Sequence, residues 1–403
     1  MSRMKLAGAY LRGFRERAGL SFNLAAEKLG CSLTLLSFIE NGTRNLARKV
    51  SFQSVRELYG LAEAEVRLLQ LLYGDKHLQL APDRASWQLF ATIADAWEAQ
   101  PESFVTADVD ELLGEGLALF QTHAAELHDI YARLCLARRD YVRAREHARQ
   151  ALESYRMDSF VALEGLYNNQ GEIYFHEGQQ LEARLQQEIL RHQSAQLAGT
   201  PLSPELTESI AALRQQALTL YRQAQDCFER ALASRPSYER GAFQLGLIFY
   251  NLGNLATMDQ ASDDQAPAAA FSQALEWLAR VQQNRSGPQN PLSPEQDHRR
   301  KWACAFSILT QARLGRAEFA HQLLDAFICA NPVYAFAHYL EAVICCHEQR
   351  CEAALSALLR AGALDPIWFQ QALQEIEFFD LRVYLERQGS SLQDRLAQNG
   401  GKP

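Results

Sequence analysis

Ser21-Phe22-Asn23-Leu24-Ala25-Ala26-Glu27-Lys28-Leu29-Gly30-Cys31-Ser32-Leu33-Thr34-Leu35-Leu36-Ser37-Phe38-Ile39-Glu40-Asn41-Gly42 is the stretch from which the rest of the chain can be read. Ser21 and Ser32 stand where a hydroxyl can cap a following helix, and Gly30 supplies a tight turn between the two helices. Leu24, Ala25, Leu29, Leu36 and Ile39 are expected to form a small buried interior, and Glu40-Asn41-Gly42 stops the second helix. Two short helices joined in this way form a helix-turn-helix. Upstream, Leu6, Leu11, Phe14, Ala18 and Leu20 predict a helix ending near Gly19. Downstream, helices at about 51–59 and 62–73 complete a bundle of five.

Charge separates this head from the remainder of the chain. Residues 1–60 carry ten basic side chains against four acidic ones, a net +6. The whole chain of 403 residues is at −8, so the remainder holds −14. A basic head on an acidic body suits one part facing phosphates and another facing something else. A hydrophobic share of 48% excludes a mainly disordered chain. Arg12, Arg15 and Arg17 interrupt any leader-like apolar run, and Leu245 to Tyr250 is far too short to span a membrane. The expected location is cytoplasmic, with no membrane contact.

The eight cysteines include no CxxC pair and no zinc-like Cys/His spacing. Cys345, Cys346, His347 and Cys351 admit two readings, a metal or oxidation site or small core hydrophobes. No phosphate loop, nucleophile elbow or HExxH is present, so neither an enzyme nor a cofactor is expected.

The quoted stretch resembles the DNA-binding head of phage repressors and Cro, the Xre type. The resemblance implies double-stranded DNA as partner and a recognition helix from Ser32 to Asn41. Ser32, Leu33, Thr34, Ser37 and Phe38 would face the groove, with Asn41 and Thr43 at its end. Arg44, Arg48 and Lys49 in the following loop would meet phosphates. Leu33, Phe38 and Phe22 depart from that family, which usually carries polar side chains at these places. Such a trio reads base edges poorly, although Leu33 or Phe38 can contact a thymine methyl group.

From about residue 83 the chain reads as helix after helix. Ala320-Leu324-Phe327-Asn331-Pro332 recurs as Ala354-Leu358-Ala361-Asp365-Pro366, an offset of 34 residues. Ala224, Phe228, Ala231 and Pro236, and then Leu245, Gly246, Phe249 and Gly253, repeat the pattern loosely. This period resembles the tetratricopeptide repeat, whose helix pairs stack because one pair cannot bury its own face. The expected fold is all-α: a five-helix repressor-type domain over 1–74, a right-handed superhelical array of such pairs over 83–388, and a flexible tail at 389–403. Loops are expected at 199–204, 258–267 and 284–294.

Projecting the repeat frame onto the chain turns Asn168, Glu172, Phe175, Phe243, Tyr250, Asn251 and Tyr339, together with Asn169 beside Asn168, toward a concave groove fit for a peptide or protein ligand. Aromatic rings supply area there, and amide side chains can bond a peptide main chain. The alternative for the rings is packing between helices. In architecture the chain resembles the RNPP peptide-pheromone receptors. That resemblance implies a homodimeric regulator used in quorum sensing, with Asn168 and Asn251 as peptide clamps. A competing reading makes the chain a protein-interaction scaffold, with Phe22, Leu33 and Phe38 of the head used for docking or dimerisation.

Overall fold

The computed structural model describes residues 2–46, 50–75, 78–81, 83–100, 106–121, 124–197, 204–258, 265–283, 292–388 and 391–392. Among them the chain is all-α. The helices are α1 (Arg3–Arg17), α2 (Phe22–Lys28), α3 (Leu33–Glu40), α4 (Phe52–Tyr59), α5 (Glu63–Leu72), α6 (Arg84–Glu98), α7 (Thr106–Leu119), α8 (Ala124–Ala137), α9 (Tyr141–Ser154) and α10 (Leu163–Leu197). They continue as α11 (Pro204–Ser234), α12 (Glu239–Thr257), α13 (Gln265–Gln283), α14 (Pro294–Arg313), α15 (Ala317–Ala330), α16 (Ala335–His347), α17 (Cys351–Leu364), α18 (Ile367–Gln374) and α19 (Phe379–Arg387). The predicted tail lies outside the described residues except at 391–392, and the predicted loops at 199–204, 258–267 and 284–294 lie largely outside them.

The chain divides into two compact units, Met1–Asn169 and Gln170–Pro403. In the first, the caps read from Ser21 and Ser32 are made: their hydroxyls accept from the backbone N–H of Leu24 and Leu35. Gly30 takes the left-handed conformation the turn requires, with φ at +64°. Leu11, Ala25, Leu36 and Ile39 are buried, whereas Leu24, expected inside, is 39% exposed. Seven residues of α2 cannot turn all their apolar positions inward.

The core of the five-helix bundle does not close on itself. Leu6, Leu36 and Leu69 belong to the same cluster as Phe90, Trp97, Leu112 and Leu134 of α6 to α8. Arg3 ties the two parts: its backbone N–H donates to Asp108 at 2.7 Å, and its side chain donates to the Leu71 carbonyl and pairs with Glu115. The expected boundary at 74–83 therefore falls inside one unit.

Repeat logic governs the later helices. α15 and α17 begin 34 residues apart, and Ala320, Leu324, Phe327, Ala354, Leu358 and Ala361 are all buried. The helix ends preceding α9, α15 and α17 share one turn. Arg139, Gly315 and Gln349 have positive φ, and the next N–H in each case reaches back to Cys135, Gln311 or Cys345. Small residues on one helix admit large ones from the next. A Cβ at Gly171 or Gly178 would meet Phe228 or Tyr221 of α11, and one at Gly246 or Gly253 would meet Leu278 or Phe271 of α13. α10 and α11, at 35 and 31 residues, are much longer than the 14-residue helices of the late pairs.

Candidate DNA interface and ligand pocket

In the first unit α2 and α3 turn through 107°, within the range of a helix-turn-helix. Leu33 and Phe38 are 47% and 40% exposed, Ser32 and Thr34 are exposed, and Ser37 is half-buried. Much of the predicted polar set is engaged internally. Asn41 accepts from Arg12 at 2.8 Å and donates to Ser37 at 3.3 Å, while the Thr43 hydroxyl donates to the Phe38 carbonyl at 2.9 Å. Arg44 lies 5.1 Å from the centre of the Phe38 ring and has no ion pair among the described residues. Arg48 and Lys49 lie outside the described residues. Phe22 is half-buried with Arg15 5.6 Å from its ring, so the exposed apolar set is Leu24, Leu33 and Phe38.

The anchor of α3 was not legible in the sequence. Arg15 donates to both oxygens of Glu40, at 2.7 and 3.1 Å, and both residues are buried. A Cβ at Gly8 would stand 2.6 Å from the Glu40 carbonyl oxygen, so α1 and the end of α3 touch through backbone. Gly42, with φ at +66°, would place a Cβ 2.4 Å from the Lys5 Cα. Arg3, Arg15, Arg17 and Arg56 are spent on Glu115, Glu40, Glu65 and Glu63. The net +6 of residues 1–60 thus overstates the charge free to meet phosphate.

The projected groove residues separate. Asn168 is fully buried and neither atom of its amide has a hydrogen-bond partner among the described residues. Asn169 donates to Asp129 at 2.8 Å. Glu172 is bound by Arg240 and Gln244, and Phe175 is buried against Tyr221. Phe243 packs on the cluster of Ala242, Leu278, Val281 and Ala303. The last four serve contacts between helices. Tyr250, Asn251 and Tyr339 are brought together instead, lining a pocket of about 390 Å³ in the second unit.

Its walls hold residues that the repeat frame does not single out. Trp302 and Phe306 come from α14, Phe336 from α16 and Trp368 from α18, in a contiguous aromatic surface with Trp302–Phe336 and Phe336–Trp368 centroids at 4.4 and 4.8 Å. Three carboxylates join them: Glu182 of α10, with Glu375 and Glu377 after α18. Glu377 pairs with Arg313 at 2.9 Å. Glu182 accepts from the Tyr221 hydroxyl at 2.5 Å, and Glu375 from Tyr339 and Gln371. Burial, reinforced by neighbouring carboxylates, pushes Glu182 and Glu375 up to about 7. Asn254, one turn beyond Asn251 on α12, is the sequence signal that was available: a second poor helix former on the same face.

Cys345 and Cys346 are buried, and burial pushes the Cys346 thiol up to about 12. These are properties of core residues. Among the described residues no group of three His, Cys, Asp or Glu side chains is arranged to hold a metal ion. No single helix among them is long and apolar enough to cross a membrane.

Residues 6–69 match the helix-turn-helix domain family, so the head carries that domain. No curated protein matches the chain. One similar solved structure is described as the crystal structure of the APC/C hetero-tetramer Cut9-Hcn1, at 13% identity and a TM-score of 0.31. The match covers 96% of this chain and 58% of that one.

Proposed function

We propose that this chain is a cytoplasmic DNA-binding transcriptional regulator whose helical-repeat unit dimerises and senses a peptide or protein ligand. The observation that carries the DNA half is the exposed outer face of α3 beside Arg44, a cation that has no carboxylate partner among the described residues while other arginines of the head are paired. Two heads in a dimer would grip half-sites about one helical turn, or a multiple of it, apart. A ligand would alter that grip only by binding one arrangement of the dimer better than the other. Of the eight projected groove residues, Tyr250, Asn251 and Tyr339 are the ones left to meet it.

Selection of genomic DNA fragments by the full-length protein tests the reading, run beside the triple variant Arg44→Ala, Arg48→Ala, Lys49→Ala. Recovery of a two-fold symmetric motif by the wild type is the expected result. The triple variant should lose affinity on all sequences alike, with the salt slope smaller by about 3. Failure to enrich any fragment would remove the operator-binding role. The exposed Leu24, Leu33 and Phe38 support the second reading, in which the head docks on protein.

A further inference from the structure

The pocket of the second unit has a chemical bias its size alone does not give. Glu377 has a guanidinium partner in Arg313, but Glu182 and Glu375 have only hydroxyl and amide donors among the described residues. The aromatic surface contributes ring faces, which carry partial negative charge. Asn254 lines the same pocket, is 7% exposed, and its Oδ1 has no donor among the described residues. The Trp302 Nε1 is buried and has no acceptor among the described residues. An occupant that completes this site brings a strong donor for Asn254 and the two carboxylates, an apolar stem for the rings, and a carbonyl for the indole.

We infer that this pocket receives an organic cation, an ammonium or guanidinium group carried by a peptide chain. The inference rests on the reading that the helical-repeat unit binds a peptide or protein, and it names the group recognised. An anionic ligand would meet Glu182, Glu375 and the ring faces, each of which repels it. A neutral apolar side chain would fill the volume and leave the Asn254 oxygen buried without a donor, a loss a competing ligand avoids. A small metal ion wants several oxygens converging on one point, whereas no group of three carboxylate, His or Cys side chains among the described residues does so. A cation on an aliphatic stem uses every feature at once, by ion pairing, cation–π contact and hydrogen bonding.

The test uses the full chain and three blocked amino acids: N-acetyl-lysine methylamide, N-acetyl-arginine methylamide and, as the uncharged isostere, N-acetyl-norleucine methylamide. Calorimetry and tryptophan fluorescence follow binding. The lysine or arginine probe should bind saturably and on the order of tenfold or more tighter than norleucine. Glu375→Gln should erase most of that preference and leave norleucine unchanged; as a neutral isostere of a carboxyl whose charge the fold disfavours, it should not lower the melting temperature. Gln179→Lys, an exposed substitution at the rim that does not touch the core, should weaken the cationic probes several-fold by repulsion. Equal binding of norleucine, or cationic binding indifferent to both variants, overturns the inference and leaves a peptide pocket of apolar preference. No saturable binding by any of the three overturns the inference together with the peptide reading of this pocket.

Discussion

The two functional regions treat charge in opposite ways. In the helix-turn-helix the arginines are largely consumed: Arg15 is locked to Glu40, Arg17 to Glu65 and Arg56 to Glu63, with Arg44 left over an aromatic ring. In the pocket of the second unit the carboxylates are left over instead, Glu182 and Glu375 being held by hydroxyls and an amide. A buried charge without a counter-ion is costly unless something else repays it. Formal charge therefore misleads in both places, and the side chains that the fold leaves unpaired are the better guide to what each region meets.

If the arginines of the head are structural, removing one partner should cost more than any surface change. Glu40→Ala strands the buried Arg15 guanidinium, and a loss of about 3–5 kcal/mol is expected, read by denaturant titration of helix signal. Gly8→Ala should cost about 1–3 kcal/mol by pushing α1 off the end of α3. On the operator-binding reading, both variants should lose DNA binding through the fold. A Glu40→Ala protein with wild-type stability would break the distinction between consumed and free arginines.

The pocket predicts a smaller effect with a definite sign. Glu182 has an ordinary value of 4.5 and is pushed up to about 7 in the folded protein by burial; Tyr221 and Arg313 favour its ionised form, while Glu377 and Glu375 oppose it. Below 4.5 both folded and unfolded chains hold the proton, and stability does not depend on this group. Between 4.5 and about 7 the unfolded chain gives up the proton first, so stability falls as pH rises and levels off above 7. Glu375, facing Tyr339, Gln371, Glu377 and Arg313, moves in the same direction and through the same window. Glu182→Gln should recover on the order of 2 kcal/mol at pH 8 and nothing at pH 4, measured as melting temperature against pH. A saturating cationic ligand should flatten the same slope in the wild type.

How far the sequence could be read depended on whether a signal was local. Ser21, Ser32 and Gly30 act within a few residues, and the helix-turn-helix they imply is present. The 34-residue offset was visible because Asn331-Pro332 and Asp365-Pro366 punctuate helices of equal length. The sharing of one core by the head and α6 to α8 was not visible, since an apolar stripe does not say which helix will cover it. In the same way Tyr250, Asn251 and Tyr339 were legible as unusual residues on helix faces, whereas Glu182 and Glu375 look like ordinary solvated charges until segments far apart in sequence bury the first and half-bury the second.

The finest discrimination falls on Leu33 and Phe38. Phe38 supports the Arg44 guanidinium through its ring, and Leu33 stands exposed one residue after the cap of α3. On the operator-binding reading, Leu33→Gln trades an apolar contact for a donor and acceptor pair. It should change the preferred base at one position per half-site while moving total affinity by about 1 kcal/mol, because phosphate contacts carry most of the binding. Phe38→Gln releases Arg44 and should cost a similar amount without changing the salt slope. On the docking reading the same substitutions leave DNA affinity untouched and instead shift the sedimentation of the full-length protein or abolish capture of its partner. Protein–DNA affinity at two salt concentrations, measured beside sedimentation on one set of variants, separates the two, since each reading forbids the result the other requires.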